Sequence, residues 1–380
     1  MGERKIGLVA TIAVAVVVFG GASVALLIFD PRTTGADALR TGGLAAGSVV
    51  ALYALWLNDR RRRVEEKRQE LDSQRQELDR QRYALEQQRQ ALEDRRTDQD
   101  RDRAADERFA RSVELLGNEA DQVRVGALHA LAGLARNHPD YTQTVLDVLC
   151  SYLRRPFDHP KWTTRVGAAE VTDKQQRERT VRQTAAKLLV SLLPTTADAD
   201  PPRYDLDVAA ARLDRFDLSG RVVGTFEAQA CWFRHKTNFD GTVFLGKVDL
   251  GDATFLHPLR ATGTVFRGRT NLHCVRNHAP LSFELAEFHG AVDMQEAHCN
   301  AHVSFERASF HTTLDLRRAR FDGGVDFRVR EPLPSIALYN TEVDTSTDAQ
   351  VPEGWSFEPL SDVNRARIRA HEVGQNPSHG

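Results

Sequence analysis

Cysteine is scarce in this chain of 380 residues, which has only four, and no two of them have the CxxC spacing. This count and spacing argue against a disulfide framework and a zinc knuckle. The sequence also lacks GxSxG, HExxH and Walker A motifs, and no GxGxxG lies between a strand and a helix. The formal net charge is −2, so no global field favours nucleic acid. We therefore predict that the chain is not an enzyme, has no catalytic residue, needs no metal or other cofactor and binds no nucleic acid.

What the sequence does contain is a regular series of large apolar residues. Between about residues 231 and 327 they recur with gaps that alternate five and six, and a second inward residue, often small, precedes each by two positions. A fixed period indicates a repeat architecture in which each unit buries its apolar face against its neighbours. The predicted core positions of the repeats are Phe233, Phe239, Phe244, Leu250, Phe255, Phe266, Leu272, Phe283, Phe288, Met294, Phe305, Phe310, Leu316, Phe321 and Phe327.

The period also indicates the type of repeat. Eleven residues are too few for a helical pair, since helical repeats need roughly 33–47 residues. Gly246, Gly268 and Gly290 lie 22 residues apart, as do Pro258 and Pro280. We interpret 22 residues as one coil of a β-solenoid. In that interpretation the glycines supply φ > 0 at turns, and the prolines pre-set φ at corners.

Five-residue units with a central Leu or Phe and a small residue two positions before it resemble the pentapeptide-repeat proteins. Leu213 and Leu218 follow the same five-residue spacing upstream of the main series. The resemblance implies a right-handed quadrilateral β-helix with four pentapeptides per coil, which we assign to residues 206–330 as five to six coils. Ala261 and Asn277 depart from the pattern, because each stands where a large residue is expected.

The N-terminal residues 1–58 contain two apolar stretches. The stretch 6–29 carries no charge and would extend about 36 Å as a helix, enough to cross a bilayer. A second uncharged stretch covers 41–58, and basic residues at 4–5 and 60–63 flank the pair. The positive-inside rule then predicts a two-helix hairpin in the cell (inner) membrane with both chain termini in the cytoplasm. The alternative is a cleaved signal peptide, which the first stretch also resembles.

Residues 59–107 contain no proline or glycine and consist mostly of strong helix formers, which predicts one long charged helix. One apolar residue recurs at every seventh position, at Val64, Leu71, Leu78, Leu85 and Leu92. The positions that would complete a coiled-coil seam are arginines, and a charged layer costs stability. Two interpretations stay open: a homodimer through residues 64–92, or a single solvated helix with charge pairs four residues apart.

Beyond the charged helix, residues 108–193 restore an amphipathic pattern and predict a small HEAT-like module of four helices. Residues 194–205 are predicted to form a linker. Residues 331–380 are predicted to cap the open edge of the β-helix, with Trp355 and Phe357 as the apolar contacts, and to end in a disordered tail. This order of parts also resembles membrane-tethered pentapeptide-repeat proteins of bacterial, actinobacterial type.

Histidine and cysteine come close together in the repeats at 273–278 and at 298–302. Imidazole and thiolate are ligands for zinc or copper. However, the two groups lie 25 residues apart, out of register with a coil of 22, and Cys299 occupies a core position of the series. We therefore predict no metal ligands here, and exposed histidines at turns.

Four aspartates each precede an inward residue of the series, and paired carboxylates can act as acid and base in glycoside hydrolysis. They are Asp249, Asp293, Asp315 and Asp326. Their recurrence along the repeat indicates surface and turn positions instead. A solenoid that mimics DNA would be strongly acidic, whereas residues 231–327 contain 11 acidic and 11 basic side chains.

From the order of these parts we predict a membrane-anchored, non-catalytic scaffold or protein-interaction module. It would present a rigid β-helix in the cytoplasm, with the lipid bilayer and an unidentified protein as its partners. The alternative is a membrane signalling or stress-response component that self-associates through the charged helix. A third hypothesis is a solenoid enzyme that uses Asp293 and His298.

Overall fold

A computed structural model describes residues 2–29, 35–157, 159, 171–362 and 364–370. The chain forms two compact units, Met1–Asp100 and Arg101–Gly380. Three predictions fall outside the described residues: the course of the link at 30–34, the loop around residues 160–170, and the disordered tail at 371–380.

The first unit is built from two helices, α1 (Gly2–Phe29) and the first part of α2 (Gly35–Leu115). The second apolar stretch and the charged segment form one helix, because α2 has no break at residue 58 and continues into the second unit. The two helices approach closely at Gly42, where a Cβ atom would collide with the Ser23 hydroxyl and lie 3.0 Å from the Phe19 carbonyl oxygen. Small residues permit such close contacts between apolar helices.

Three more helices and a short 3-10 turn at Pro139–Tyr141 precede the strands: α3 (Asp121–Asn137), α4 (Thr142–Arg154) and α5 (Asp173–Leu192). Each buries one apolar stripe. Thr172 starts α5 with a capping box, in which its hydroxyl accepts from the Gln175 amide and Gln175 reaches back to the Thr172 amide.

The strands wind into a solenoid with four faces, and strands on the same face pair in parallel from coil to coil. Face 1 consists of β1 (Leu206–Asp207), β4 (Phe226–Glu227), β8 (Val248–Asp249), β12 (Thr270–Asn271), β16 (Val292–Asp293), β20 (Thr313–Asp315) and β23 (Ser335–Ala337). Face 2 consists of β2 (Arg212–Asp214), β5 (Trp232–Arg234), β9 (Thr254–Phe255), β13 (Arg276–Asn277), β17 (His298–Cys299), β21 (Arg320–Phe321) and β24 (Glu342–Asp344). Face 3 consists of β6 (Thr237–Asn238), β10 (Leu259–Arg260), β14 (Leu281–Ser282), β18 (Val303–Ser304), β22 (Val325–Asp326) and β25 (Ala349–Gln350). Face 4 consists of β3 (Val222–Val223), β7 (Val243–Phe244), β11 (Val265–Phe266), β15 (Glu287–Phe288) and β19 (Ser309–Phe310).

The predicted class, helices followed by a β-solenoid, is thus confirmed, but the solenoid is longer than predicted. It has about seven coils rather than five to six, because parallel pairing continues past residue 330 through β23, β24 and β25. A proline-containing segment replaces the face 4 strand in the last coil, where the Arg330 amide still donates to the Ala308 carbonyl (2.9 Å). The segment after residue 330 is therefore partly solenoid and only partly cap.

The inward side chains form continuous columns. All fifteen predicted core positions are buried, and eleven of them are phenylalanines. On face 4 the rings of Phe244, Phe266, Phe288 and Phe310 stack with centroid separations of 5.3, 4.7 and 4.8 Å. Each aromatic pair adds about 0.5–1.5 kcal/mol to the effect of area burial.

The two departures from the series are also inward. Ala261 and Asn277 are completely buried. The Asn277 amide nitrogen donates to the carbonyl oxygens of Ala279 (3.1 Å) and Ala301 (3.0 Å). These bonds offset part of the cost of placing an amide in the column between Phe255 and Cys299, since the Asn277 side-chain oxygen is buried without a hydrogen-bond partner among the described residues.

The role predicted for Gly246, Gly268 and Gly290 is wrong. None of the three has positive φ; a Cβ at Gly268 would collide with the Gly246 carbonyl, and a Cβ at Gly290 with the Gly268 carbonyl. They are required by the close approach of successive coils. The left-handed turns fall at other positions, among them Gly241 (φ 61°) and Gly263 (φ 63°).

Both ends of the solenoid are covered, which prevents edge-to-edge pairing. At the N-terminal end, the Gln143 side chain of α4 exchanges two 2.9 Å hydrogen bonds with the backbone of Asp205. The predicted linker is also paired, since the Val222 amide donates to the Pro194 carbonyl (2.9 Å).

At the C-terminal end, the hairpin of β26 (Trp355–Pro359) and β27 (Arg365–Ala370) adds antiparallel strands to β24 on face 2. Ile368 of this hairpin is completely buried. Trp355 packs on Phe327, with 5.7 Å between ring centroids. The expected capping contact of Trp355 is therefore present.

Candidate functional site: the charged faces and corners of the solenoid

The outer surface of the solenoid is polar. Within residues 206–350, all of which the structure describes, the exposed large apolar side chains are Leu285 (47% exposed) and Tyr339 (64%). A partner therefore meets charged and polar groups held in fixed columns by the strand register.

The longest column of like charge runs along face 1, and we call it the carboxylate ladder. Its members follow the inward residue of successive strands, with Asn271 interrupting the series: Asp207, Glu227, Asp249, Asp293 and Asp315. Basic residues pair with most of them: Lys247 Nζ lies 3.4 Å from Glu227 and 2.8 Å from Asp249, and Arg269 lies 2.8 Å from Asp293. The ladder is thus an ordered series of ion pairs.

Asp249 is the most enclosed member, with a side chain only 2% exposed. Burial alone would raise its pKa, but hydrogen bonds from Lys247, the Gly251 amide and Gln229 hold the pKa below the usual value of an aspartate. Asn271 donates a further hydrogen bond of 2.8 Å. Asp249 is therefore an ionised structural group.

Two of the other aspartates considered for acid–base chemistry are also held in the ionised form. Burial would raise the pKa of Asp315 and of Asp326, but their arginine partners, Arg317 and Arg328, lower it. A general acid needs the opposite shift. Asp293 and His298, named together in the enzyme hypothesis, lie on different faces, on β16 and β17.

The two predicted histidine–cysteine groups have different outcomes. In the second, Cys299 points into the core and is completely buried, while His298 is exposed on the outside of the same strand. In the first, His273 and Cys274 lie together at a corner, but their third neighbour is Glu296 and not His278. Cys274 Sγ is 3.8 Å from His273 Nε2 and 3.9 Å from Glu296 Oε2.

The approach of Glu296 was missed because it lies 22 residues after Cys274, a spacing that no local motif contains. The signal was present in the coil period, which places Glu296 in the coil after Cys274 at the equivalent corner position. Both residues have left-handed backbone conformations, with φ of 54° for Cys274 and 56° for Glu296.

Two pairs of histidines stack across coils. His289 and His311 have ring centroids 4.5 Å apart, and His235 and His257 are 5.1 Å apart. Burial lowers the pKa of His235; nearby Arg234 also lowers it, and Asp214 opposes the shift.

A junction cluster joins α5 to the first coils. Asp214, buried on β2, accepts hydrogen bonds from Arg179 Nε (2.6 Å) and Gln183 Nε2 (2.9 Å), and its other oxygen lies 3.6 Å from His235 Nε2. Arg179 also reaches the His235 ring, with 3.1 Å between nitrogens. The cluster fixes the helices of the second unit to the solenoid.

Arg182, also on α5, secures the end of α4. Its guanidinium donates to the carbonyls of Tyr152, Leu153 and Arg155 and lies 5.0 Å from the centre of the Phe157 ring. Burial lowers its pKa to about 10. These carbonyls lie at the C-terminal end of α4, where acceptors lack intrahelical partners, so the arginine acts as a cap together with the Arg155 amide, which donates to the Tyr152 carbonyl (3.3 Å).

Comparison with known proteins bears on the repeats. Residues 283–328 match a family model described as Pentapeptide repeats (9 copies). No match was found among curated proteins or among solved structures. The matched residues lie within the solenoid. The chain therefore carries a pentapeptide-repeat β-solenoid, a module of the protein-interaction type, while bacterial origin and membrane attachment stay predictions.

Proposed function

We propose that the chain is a membrane-anchored, non-catalytic scaffold whose solenoid presents a polar recognition surface to a protein partner in the cytoplasm. The observation that carries the proposal is the exposure of apolar side chains in the first unit. They include Val9, Ile12, Val14, Val16, Val17, Val24, Leu44, Leu52 and Leu55. Water disfavours such a surface, whereas lipid covers it without cost.

Length and composition agree with this proposal. Of the described helices, α2 is long and apolar enough to cross a bilayer, and only 6% of its apolar window is buried. A core helix of a water-soluble protein would be mostly buried. The described apolar part of α1, Val9–Ala25, is shorter than a full span.

Aromatic and basic side chains support a membrane–water boundary near residue 58. Tyr53 and Trp56 stack with 5.9 Å between ring centroids, and the Arg60 guanidinium lies 5.3 Å from the Trp56 ring. Tryptophan and tyrosine favour the interface, and arginine favours its cytoplasmic side. We infer that the residues after 58 lie in the cytoplasm and that α1 returns the N-terminus to the same side.

The partner is inferred to bind face 1. The carboxylate ladder and its basic partners present ion pairs at positions fixed by the strand register, with neighbouring strands about 4.8 Å apart. A rigid pattern of paired charges suits a protein surface with the complementary pattern, because complementary charge sets register and orientation.

Membrane attachment is tested by placing charge in the exposed apolar surface. Val17→Arg combined with Leu44→Arg changes two side chains that are 72% and 74% exposed, so the protein itself loses little packing. An arginine costs about 2.5–3.5 kcal/mol at the centre of a spanning helix, which is where Val17 lies in the stretch 6–29. We expect the native chain in the carbonate-resistant membrane fraction and the double variant in the soluble or aggregated fraction.

The matched control is Leu85→Arg, a change at a 58% exposed leucine in the charged part of α2. It should stay with the membrane. Equal extraction of the native chain and the Val17/Leu44 variant would contradict the anchor.

Partner binding is tested by reversing charge on two faces. Glu227→Lys with Asp293→Lys alters the ladder. Glu284→Lys with Glu306→Lys makes the same change in charge just after strands β14 and β18, and we call this the face 3 variant. After cross-linking in intact membranes, we expect one protein to be captured by the native chain and by the face 3 variant, but not by the ladder variant. Capture that is equal for all three chains would contradict recognition through face 1.

A second candidate function, signalling by self-association, has one specific observation in its favour. The apolar residues at every seventh position of α2 are all exposed, between 47% and 58%: Val64, Leu71, Leu78, Leu85 and Leu92. Such a stripe is a natural contact between two copies of the helix. Sedimentation of the solubilised full chain distinguishes the two candidate functions. A monomer at high concentration would contradict signalling by self-association and would be consistent with the scaffold.

A further inference from the structure

The corner that follows face 1 repeats one backbone conformation in successive coils. The φ angle lies between 54° and 60° at all four positions of this corner: Asp252, Cys274, Glu296 and Arg318. Residues 22 apart in this column are neighbours along the solenoid, because the parallel register of face 1 brings each coil directly over the previous one. The corner therefore projects side chains of consecutive coils into the same space.

Three of these corner side chains converge. One ligand atom from each of His273, Cys274 and Glu296 lies within 4.8 Å of the other two, and all three residues are partly exposed. The thiol sulfur is 3.8 Å from His273 Nε2 and 3.9 Å from Glu296 Oε2. Zinc bonds of about 2.3 Å to sulfur and 2.0–2.1 Å to nitrogen, at a tetrahedral angle, place those two atoms about 3.6 Å apart. Small side-chain rotations suffice to reach that geometry.

We propose that this corner is a zinc-binding site, with His273 Nε2, Cys274 Sγ and Glu296 Oε2 as protein ligands and water in the fourth position. Imidazole, thiolate and carboxylate are the three donor types that zinc accepts. Calcium and magnesium prefer oxygen donors throughout, so they are not the expected ions.

Neighbouring groups hold the ligands in place. Arg318 Nη1 donates to Glu296 Oε1 (3.0 Å), which leaves the other carboxylate oxygen facing the thiol. The His273 amide donates to Asn271 Oδ1 (3.0 Å), which fixes the backbone beside the imidazole. Such outer contacts orient ligands and contribute to metal affinity.

The test uses thiol labelling of the full chain in detergent. Cys274 is the one cysteine of the four that is not buried, so a water-soluble disulfide reagent applied to the native protein reports on it alone. We expect one thiol per chain to react without metal, one equivalent of Zn²⁺ to protect it, and a chelator to restore the reaction. Cobalt in place of zinc should give a thiolate-to-metal charge-transfer absorption.

Two variants keep the thiol and remove another ligand. His273→Ala and Glu296→Gln should each still label at the native rate, but each should need at least about tenfold more Zn²⁺ for protection, since even changes in outer contacts cost 10–100-fold. His298→Ala removes an exposed histidine of another face and should leave protection unchanged. Absence of protection in the native chain, or equal protection in the native chain and both ligand variants, overturns the site.

Discussion

The two units of this protein use the same apolar residue types in opposite ways. In the first unit, Val17 and Leu44 are 72% and 74% exposed, whereas Leu272 and Phe288 of the solenoid are completely buried. The solenoid supplies its own apolar environment, because each coil covers the next. The first unit leaves most of its apolar surface uncovered, so the surroundings of the protein must supply the apolar environment there. Apolar composition alone does not distinguish these cases, and the period of the sequence does.

The largest difference between the units should appear when an apolar side chain is truncated. Phe288→Ala removes a ring stacked on Phe266 and Phe310, and should lower the free energy of unfolding by about 3–5 kcal/mol. The measurement is the denaturant midpoint followed by near-UV circular dichroism. Val17→Ala, the matched change in the first unit, should alter stability in detergent by no more than about 0.5 kcal/mol. Equal losses of unfolding free energy in the two variants would contradict the difference between the two units.

Glycine-to-alanine substitutions should change stability in opposite directions in the stacked coils and in an open helix. Gly268→Ala forces a methyl group into the Gly246 carbonyl and should destabilise the solenoid by about 1–3 kcal/mol. Gly126→Ala in α3 meets no atom within 4 Å and should stabilise by up to about 1 kcal/mol. Thermal unfolding of both variants checks the opposite signs. A neutral Gly268→Ala would show that the coils can separate at this point.

Acid should weaken the solenoid through its paired carboxylates. The folded pKa of Asp249 lies below its unfolded value of about 3.9. Its contribution to stability is therefore complete above that value and is lost as the pH falls towards the folded pKa. We expect the unfolding midpoint to fall below about pH 4, and Asp249→Asn to flatten that part of the profile. An unchanged profile would mean that Asp249 titrates alike in both states.

The smallest expected effect concerns self-association of α2. Arg82→Leu adds an apolar residue at a position that would complete the seam beside Leu78 and Leu85. If the stripe is a dimer contact, the dissociation constant of the dimer should fall at least about tenfold, because burying a leucine contributes about 1.5–3 kcal/mol. Arg80→Leu, on the outer side of the same turn, is the control. Sedimentation that is identical for both variants and the native chain contradicts the dimer.

Much of the fold follows from the sequence because core positions repeat at short, regular intervals. The five- and six-residue gaps predicted which side chains face inward, down to the buried Asn277 that breaks the series. The last coil was missed because its inward residues Leu338, Val343 and Val351 are separated by five and then eight residues. The face 4 strand is also absent there, so the spacing that defined the repeat no longer applied.

Features that depend on contacts between coils were the hardest to predict. A glycine can serve a left-handed turn or a close approach, and only the position of the neighbouring coil distinguishes the two roles at Gly268. Similarly, the approach of Glu296 to Cys274 joins residues 22 apart, and a search for local ligand motifs selected His278 instead. The sequence predicts the length and inward positions of one coil, whereas the stacking of coils determines which side chains meet at the corners.

The most direct test of the central claim is labelling from the lipid phase. Full-length protein in liposomes is photolabelled with a diazirine-bearing lipid, and the modified peptides are identified by mass spectrometry. We expect modification in peptides covering residues 9–58 and none in those covering 206–370. Modification of solenoid peptides, or an unmodified N-terminal unit in protein that stays with the liposomes, would contradict it.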